Sequence, residues 1–273
     1  MFPTEIAVCS QKGGVGKTTL SLNMALAFAE LGHNTLLIET DAQGSLGASL
    51  LKPEGFAPGI VRFFNDEYPL SEALVQTKVA GLSLLPFGEI DPIEMLDFES
   101  NLLRGNLVSR LVEGGRLEGF DLVIFDCPSG FGMMTQAVLR AVEHLIVPVQ
   151  AEPLSLRTIA KFLRGVESIQ AIGNPRLSLI GMVLMMFDRK SDASFSVLQS
   201  AWESFDASMV LETVVPRQKV YLEASLRGVP VGFMAKGKSP EGRRFRGLAE
   251  EVFNRLTHKE EGADDGEPIQ TLL

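Results

Sequence analysis

A glycine-rich loop near the N-terminus limits the folds open to this chain more than any other feature. Residues 12–19 read Lys-Gly-Gly-Val-Gly-Lys-Thr-Thr, directly after the apolar run 5–9 and directly before a helical pattern over 18–30. Glycine backbone N–H groups can close around an anion at the positive end of a helix, so strand, loop and helix in this order form a phosphate-binding loop. We therefore predict a nucleotide site at residues 12–19.

Each polar residue at the end of this loop has an expected role. Lys17 is expected to reach the β- and γ-phosphates of ATP, Thr18 to hold Mg²⁺, and Thr19 to bond the α-phosphate. The residues expected to contact the nucleotide are Gly13, Gly14, Val15, Gly16, Lys17, Thr18 and Thr19. The alternative is a chance match, and the strand and helix on the correct sides argue against it.

Short aliphatic runs alternate with amphipathic helical patterns along the rest of the chain. The predicted strands are 5–9, 34–39, 82–86, 121–126, 144–149 and 177–187. The predicted helices are 18–30, 101–112, 134–142, 154–169, 195–205 and 242–256. This alternation predicts an α/β fold, a doubly wound and mostly parallel sheet flanked by helices, as in P-loop NTPases. We expect one ATPase domain over 1–257 and an acidic, disordered tail over 258–273, whereas 53–80 shows no clear pattern.

Composition and charge narrow the function classes. Hydrophobic residues make up 45% of the 273 residues, but no apolar run is long enough to cross a bilayer, so we expect a cytoplasmic protein without a stable membrane anchor. The two cysteines and three histidines show no metal-ligand spacing. The net charge of −9 excludes a uniformly basic surface, although residues 216–246 carry eight basic and two acidic side chains.

Five segments resemble the ParA/MinD family of ATPases, whose phosphate loop carries an extra lysine. Residues 9–19 are similar to that loop, and 39–44 to the family's Asp-x-Asp-Pro-Gln-Gly segment. Residues 119–128 are similar to its second acidic motif and 147–152 to its Val-Pro-Val-Gln segment. Residues 215–224 are similar to its late Ile-Pro-Arg…Glu-Ala stretch. The resemblance thus covers most of the chain.

The resemblance implies a role for each matched residue. Lys12 would act catalytically on the phosphates of a facing subunit, and its alternative is a solvated lysine at the loop rim. Asp41 would orient the attacking water and Asp126 would support the Mg²⁺ shell, whereas isolated aspartates at strand ends more often cap helices. Asp188 and Pro216 would lie near the adenine.

Three matched positions depart from the family's pattern. Glu39 stands where the family prefers aspartate, Ala42 where it has proline, and Ser129 where the second acidic motif continues with proline. The first two leave the predicted fold unchanged, but they bear on the rate of hydrolysis.

The function implied is an ATP-dependent switch that positions or segregates a cargo such as a plasmid, a chromosome or a protein complex. The ATP-bound homodimer would bind non-specific DNA at the nucleoid, and a partner similar to ParB or a cargo adaptor would trigger hydrolysis. The DNA-contacting residues would be Arg217, Lys219 and Arg227, unless the basic stretch is only a solvated face.

Two other function classes remain open. A membrane-cycling ATPase similar to MinD would need a basic amphipathic C-terminal helix, whereas residues 259–273 carry five acidic side chains and one lysine, together with glycine and proline. A metabolic relative would resemble the nitrogenase iron protein or a ligase acting on a small acid. The iron protein would need suitably placed thiols, but Cys9 lies within the first predicted strand.

Overall fold

The computed structural model of the protein describes residues 3–43, 46, 58–237 and 239–262. In this part of the chain, one seven-stranded sheet has the order β3-β4-β2-β5-β1-β6-β7. All neighbouring strands pair in parallel except β3 and β4, which are antiparallel. The strands are β1 Thr4–Ser10, β2 Thr35–Glu39, β3 Val75–Gln76, β4 Leu82–Leu85, β5 Leu122–Ser129, β6 His144–Gln150 and β7 Ser178–Met185.

Helices connect the strands and cover both faces of the sheet. The helices described are α1 Lys17–Glu30, α2 Gly59–Phe64, α3 Leu70–Ala73, α4 Pro92–Arg104, α5 Leu107–Glu113, α6 Met133–Ala141, α7 Pro153–Ile172, α8 Asp192–Ser204, α9 Lys219–Leu226 and α10 Pro240–Gly262. Short 3₁₀ helices span Ala207–Met209 and Val231–Gly237. Within the described ranges, no helix has the length and apolar character needed to cross a membrane.

The alternating side chains of β1, an interior strand of the sheet, divide the core into two layers. Ile6 and Val8 belong to a buried cluster with α1 and α10, whereas Ala7 and Cys9 belong to a cluster with α4, α6 and α7. Successive residues of a strand point to opposite faces of the sheet, so a strand buried on both faces is apolar throughout. The predicted fold class, a doubly wound and mostly parallel α/β sheet, is confirmed.

The predicted helix over 101–112 is wrong, because two helices occupy this region. Asp91 caps α4 by accepting a hydrogen bond from the N–H of Ile93 at 2.8 Å, and α4 then ends at Arg104. Asn106 adopts a left-handed backbone with φ 47°, which breaks the helix before α5 begins. The apolar spacing continues across this break, so periodicity alone did not reveal it.

Other boundaries also differ from the sequence prediction. Residues 58–80 contain α2, α3 and β3, whereas 47–57 lie outside the described residues. Helix α9 was not predicted. Helix α10 continues to Gly262, past the expected domain end at residue 257, and the rest of the predicted tail lies outside the described residues.

The register of β1, β2 and β5 brings the predicted site residue Asp126 to the same edge of the sheet as Ser10, Glu39 and Ser129. Ser10 at the end of β1 is paired with Ser129 of β5, and Val8 with Asp126. On the other side of β5, Asp126 is paired with Glu39 at the end of β2. Doubly wound sheets bind ligands at this carboxyl edge.

Candidate active site

The phosphate loop follows β1 and turns sharply into α1. Gly14 and Gly16 have φ values of 72° and 95°, in the left-handed region that favours glycine. A Cβ atom on Gly16 would lie 3.0 Å from Cε of Met185, so the loop also packs too closely for a side chain there. The first turn of α1 contains no acidic residue. The positive end of α1 is therefore open to an anion.

Lys17 lies at the start of α1 and reaches the end of β5. Its Nζ donates a hydrogen bond to Oγ of Ser129 at 2.7 Å, and the residue is only 7% exposed. Because the hydroxyl is a neutral acceptor, negatively charged phosphate oxygens would form stronger bonds with the same ammonium group. The position of Lys17 fits its predicted role as the phosphate-binding lysine.

Asp126 is fully buried below the loop and is held by two hydroxyl groups from α1. Oγ1 of Thr18 donates to Oδ2 of Asp126 at 2.7 Å, and Oγ of Ser21 lies 2.9 Å from Oδ1. Burial raises the pKa of Asp126 to about 6, whereas these two hydrogen bonds and the charge of Lys17 lower it. Oxygen ligands of this kind suit Mg²⁺, which usually keeps several waters and binds one or two protein groups together with phosphates.

The two carboxylates of Glu39, the last residue of β2, and Asp41, just after it, have different surroundings. Glu39 is 3% exposed and accepts the backbone N–H groups of Leu46 at 2.7 Å and Phe87 at 3.3 Å. Asp41 is half-buried, and its Oδ1 accepts the N–H of Gln43 at 3.0 Å. The Glu39 carboxylate is therefore engaged in holding the backbone after β2 and β4. The catalytic role of Asp41 stays a prediction.

Lys12 points away from the position of Lys17. Its Nζ donates to Oε1 of Gln150 at 2.8 Å and forms an ion pair with Oε2 of Glu152 at 3.1 Å. Nε2 of Gln150 in turn donates to Oε1 of Glu152 at 2.7 Å, which closes a ring of three side chains. The Lys12 side chain is 46% exposed. The two lysines of the loop thus serve different places.

An open cleft of about 560 Å³ adjoins the phosphate loop. Gly16 and Thr19 of the loop and of α1 line this cleft. Pro216, Arg217 and Lys219, from a distant part of the sequence, line it as well. Its volume falls in the range of small-molecule and cofactor sites, which suits the base and sugar of a nucleotide. Pro216 lines this cleft, and its contact with adenine stays a prediction.

Asp188, the other predicted adenine contact, is not among the residues that line this cleft. It is exposed, and its Oδ1 accepts the N–H of Lys190 at 2.9 Å within a turn. Its contact with adenine stays a prediction, and this geometry does not bring it to the cleft.

The basic stretch 216–246 is divided between separate places. Arg217, Lys219 and Arg227 are exposed, the first two at the rim of the cleft and the third at the end of α9. Arg244 instead donates to the carbonyl of Val214 at 3.4 Å. Arg246 forms an ion pair with Glu250 at 3.4 Å, and Lys238 lies outside the described residues.

Four residues at the site were not assigned a role from the sequence. They are Ser21, Ser129, Gln150 and Glu152, which hold Asp126, Lys17 and Lys12. Ser21 follows Lys17 by four residues, a spacing that places both on one face of a helix. Gln150 and Glu152 belong to the segment 147–152 that resembles the family, so that segment carried a usable signal.

Comparisons with known proteins identify relatives over most of the chain. A protein-family model described as an AAA domain matches residues 4–179. The chromosome-partitioning ATPase Soj of Thermus thermophilus is 35% identical over 92% of this chain and 96% of its own length. The chromosome partitioning protein ParA of Caulobacter vibrioides is 30% identical over 92% of this chain and 94% of its own length.

A solved structure from Mycobacterium smegmatis is similar over almost its whole length. It is named cobyrinic acid a,c-diamide synthase with bound ATP analog and magnesium, and it superposes with a TM-score of 0.75 at 29% identity, covering 98% of this chain and 99% of that one. The family match, the partitioning relatives and the phosphate loop with its additional Lys12 lead to one assignment. The chain belongs to the ParA/MinD family of P-loop ATPases.

Proposed function

We propose that this protein is an ATP-dependent dimerising switch that positions or segregates a cargo. Binding of MgATP would close a homodimer, and hydrolysis to ADP and phosphate would open it. The observation that carries this proposal is the separate placement of the two loop lysines. Nζ of Lys12 contacts Gln150 and Glu152, whereas Nζ of Lys17 contacts Ser129. The Lys12 side chain is 46% exposed and its partner Glu152 is 47% exposed, so the lysine would exchange this exposed ion pair for the phosphates of a second subunit.

The proposed chemistry follows from the placement of each side chain. Lys17 binds the β- and γ-phosphates, and the hydroxyl of Thr18 would hold Mg²⁺ with Asp126 behind it. When bound, Mg²⁺ neutralises charge on the two terminal phosphates. Asp41, at the neighbouring strand end, orients the attacking water, and Lys12 of the facing subunit stabilises the negative charge that develops on the transferring phosphoryl group.

We further propose that the ATP-bound dimer binds DNA without sequence preference at the nucleoid. Arg217, Lys219 and Arg227 are exposed on one stretch of chain that borders the nucleotide cleft. The chain as a whole carries a charge of −9, so attraction to phosphate has to come from a local basic surface. In the ATP-bound dimer, two copies of this basic surface would bind the same DNA and so bind it more tightly than one copy does. DNA binding would therefore depend on ATP.

The DNA proposal is tested with Asp41→Ala, a variant expected to retain ATP and remain dimeric. With ATP, it should shift random-sequence duplex DNA at low salt, and the affinity should fall with a log–log salt slope of about −0.9 per phosphate neutralised. Adding Arg227→Glu, at an exposed residue that does not line the cleft, should weaken DNA binding without changing ATP affinity. Arg104→Glu, which reverses an exposed charge on α4, is the control with the same change in net charge.

A confirmed ATP dimer that fails to bind duplex DNA would contradict nucleoid binding. Equal losses from Arg227→Glu and Arg104→Glu would show a general charge effect instead of a local surface. The partner that triggers hydrolysis is proposed to be similar to ParB or to be a cargo adaptor, and it is identified as the protein that raises the ATPase rate.

A metabolic ATP-dependent synthase is the second candidate function. It is favoured by the 29% identity to the Mycobacterium smegmatis protein named cobyrinic acid a,c-diamide synthase. A synthase would couple ATP consumption to amidation of its acid substrate. ATP turnover that rises with cobyrinic acid and an amide donor, but not with DNA or a partner protein, would favour this candidate over the switch.

A further inference from the structure

The segment over 210–217 runs beside β7 as an irregular, bulged extension of the sheet. Isolated parallel bridges join Met182 to Val210 and Phe187 to Pro216. The N–H of Leu211 donates to the carbonyl of Met182, and the N–H of Val215 donates to that of Leu184, so four residue steps of the segment face two steps of β7. Two extra residues therefore bulge out of the pairing, and the backbone N–H groups in the bulge lose their sheet partners.

The side chain of Glu251 on α10 satisfies this bulge. Its Oε1 accepts the N–H of Glu212 at 2.7 Å, and its Oε2 accepts the N–H of Thr213 at 3.1 Å. The side chain is 18% exposed, so most of it is shielded from water. Each oxygen of the Glu251 side chain thus accepts one of two adjacent backbone N–H groups.

Arg255, one helical turn further along α10, also holds the bulged segment. We call Glu251 and Arg255 together the clamp. It donates to the carbonyls of Ile180 at 3.0 Å and Val210 at 2.8 Å, and also to that of Ser208. Its guanidinium lies 3.5 Å from Oε1 of Glu251. The arginine thereby fixes the start of the bulged segment against β7 and holds the carboxylate of Glu251 in place.

The clamped segment leads directly into the wall of the nucleotide cleft. The N–H of Val215, two residues after the bulge, donates to the carbonyl of Leu184 at 2.8 Å, and the N–H of Arg217 donates to that of Phe187 at 3.0 Å. Val215 and Arg217 both line the 560 Å³ cleft, as does Gly16 of the phosphate loop. The cleft width between loop and wall therefore depends on where the bulge is held.

We propose that Glu251 is a positioning residue for the base and sugar of the bound nucleotide. This inference rests on the proposed function of the cleft as an ATP site. Glu251 does not line the cleft itself, and it acts through the backbone of Glu212 and Thr213. The phosphate loop is built on β1 and α1, so the clamp should affect binding of the nucleoside and leave binding of the phosphates unchanged.

The test compares ATP with inorganic triphosphate, which occupies only the phosphate loop. In Glu251→Gln, one acceptor oxygen is replaced by an amide NH₂ that faces a backbone N–H. Loss of a charged hydrogen bond predicts an ATP affinity lower by about tenfold, whereas Mg²⁺-triphosphate affinity should change less than about twofold. The matched control is Glu250→Gln, at the preceding position of α10. Glu250 forms an exposed ion pair with Arg246, so its substitution should leave both affinities unchanged.

A second variant separates positioning from general loss of stability. Glu251→Asp keeps two acceptor oxygens but shortens the side chain, so its ATP affinity should fall between those of the parent and Glu251→Gln. Unchanged ATP affinity in Glu251→Gln, or equal losses for ATP and triphosphate, would overturn the positioning role. A parent protein that binds neither ligand would instead refute the proposed ATP site.

Discussion

Lys12 and Glu152 form an ion pair within one subunit, with Nζ of the lysine 3.1 Å from Oε2 of the carboxylate. Both side chains are about half exposed, at 46% and 47%. Gln150 holds the pair from the side, since it accepts from Lys12 and donates to Glu152. In the single chain, therefore, the lysine proposed to act across a dimer already has a partner of its own.

Removing the charge of Glu152 should favour the dimer. An exposed ion pair contributes up to about 1 kcal/mol, so Glu152→Gln, which frees Lys12, should lower the dissociation constant of the ATP dimer by about two- to fivefold. Sedimentation velocity of Asp41→Ala with ATP, with and without Glu152→Gln, measures this. The control is Glu250→Gln, which breaks the comparably exposed pair with Arg246. A weaker dimer would mean that Glu152 supports the interface.

Loss of the Lys17 ammonium should weaken nucleotide binding. Lys17→Ala removes a buried, charged hydrogen-bond donor worth about 1.5–3 kcal/mol, so MgATP affinity should fall about 10- to 100-fold. Isothermal titration calorimetry measures the affinity directly. Lys12→Ala is the natural control, because its side chain points to Gln150 and Glu152. Unchanged ATP affinity in Lys17→Ala would refute the site.

The motifs that are contiguous in sequence predicted most of the site. The loop with Lys12, Lys17 and Thr18 needs only a strand before it and a helix after it, and Asp126 follows from its place near the end of an apolar run. The link from Lys17 to Ser129 could not be predicted, since it depends on the pairing of β1 with β5.

Other parts of the fold depend on contacts that a linear pattern does not contain. The break between α4 and α5 comes from the left-handed backbone of Asn106, which leaves the apolar spacing unchanged. Glu251 meets Glu212 and Thr213 only because α10 packs beside the bulged segment, 38 to 39 residues away in sequence. The basic stretch, uniform in sequence, is divided by contacts such as that of Arg244 with Val214.

Glu5 is buried near the start of β1, at the edge of the sheet opposite the candidate nucleotide site. It should make the free energy of unfolding depend on pH. Burial, followed by the charge of Glu143, raises the pKa of Glu5 from 4.5 to about 7. The folded state therefore holds this proton more tightly than the unfolded state. The free energy of unfolding contains a contribution from Glu5 that is present below pH 4.5 and is lost as pH rises to about 7, at most about 3 kcal/mol.

The variant Glu5→Gln removes the titratable carboxyl group. It should therefore remove this contribution to the pH dependence of the free energy of unfolding. Urea unfolding at pH 5, 6, 7 and 8 should show the variant gaining on the parent as pH rises, with no further gain above pH 8. Glu143→Gln should lower the pKa of Glu5 and move the parent's loss to lower pH. A constant difference between parent and Glu5→Gln from pH 5 to 8 would contradict a buried carboxyl with a raised pKa.

Dimerisation of Asp41→Ala with and without Lys12 tests the central claim most directly. Asp41→Ala should retain ATP because the contacts of Lys17 and Thr18 remain while the attacking water loses its orienting carboxylate. Sedimentation velocity with MgATP should show a dimer for Asp41→Ala and a monomer for Asp41→Ala with Lys12→Ala, at equal ATP occupancy. If both variants form the same dimer with ATP bound, Lys12 does not act across the interface, and the proposed switch is contradicted.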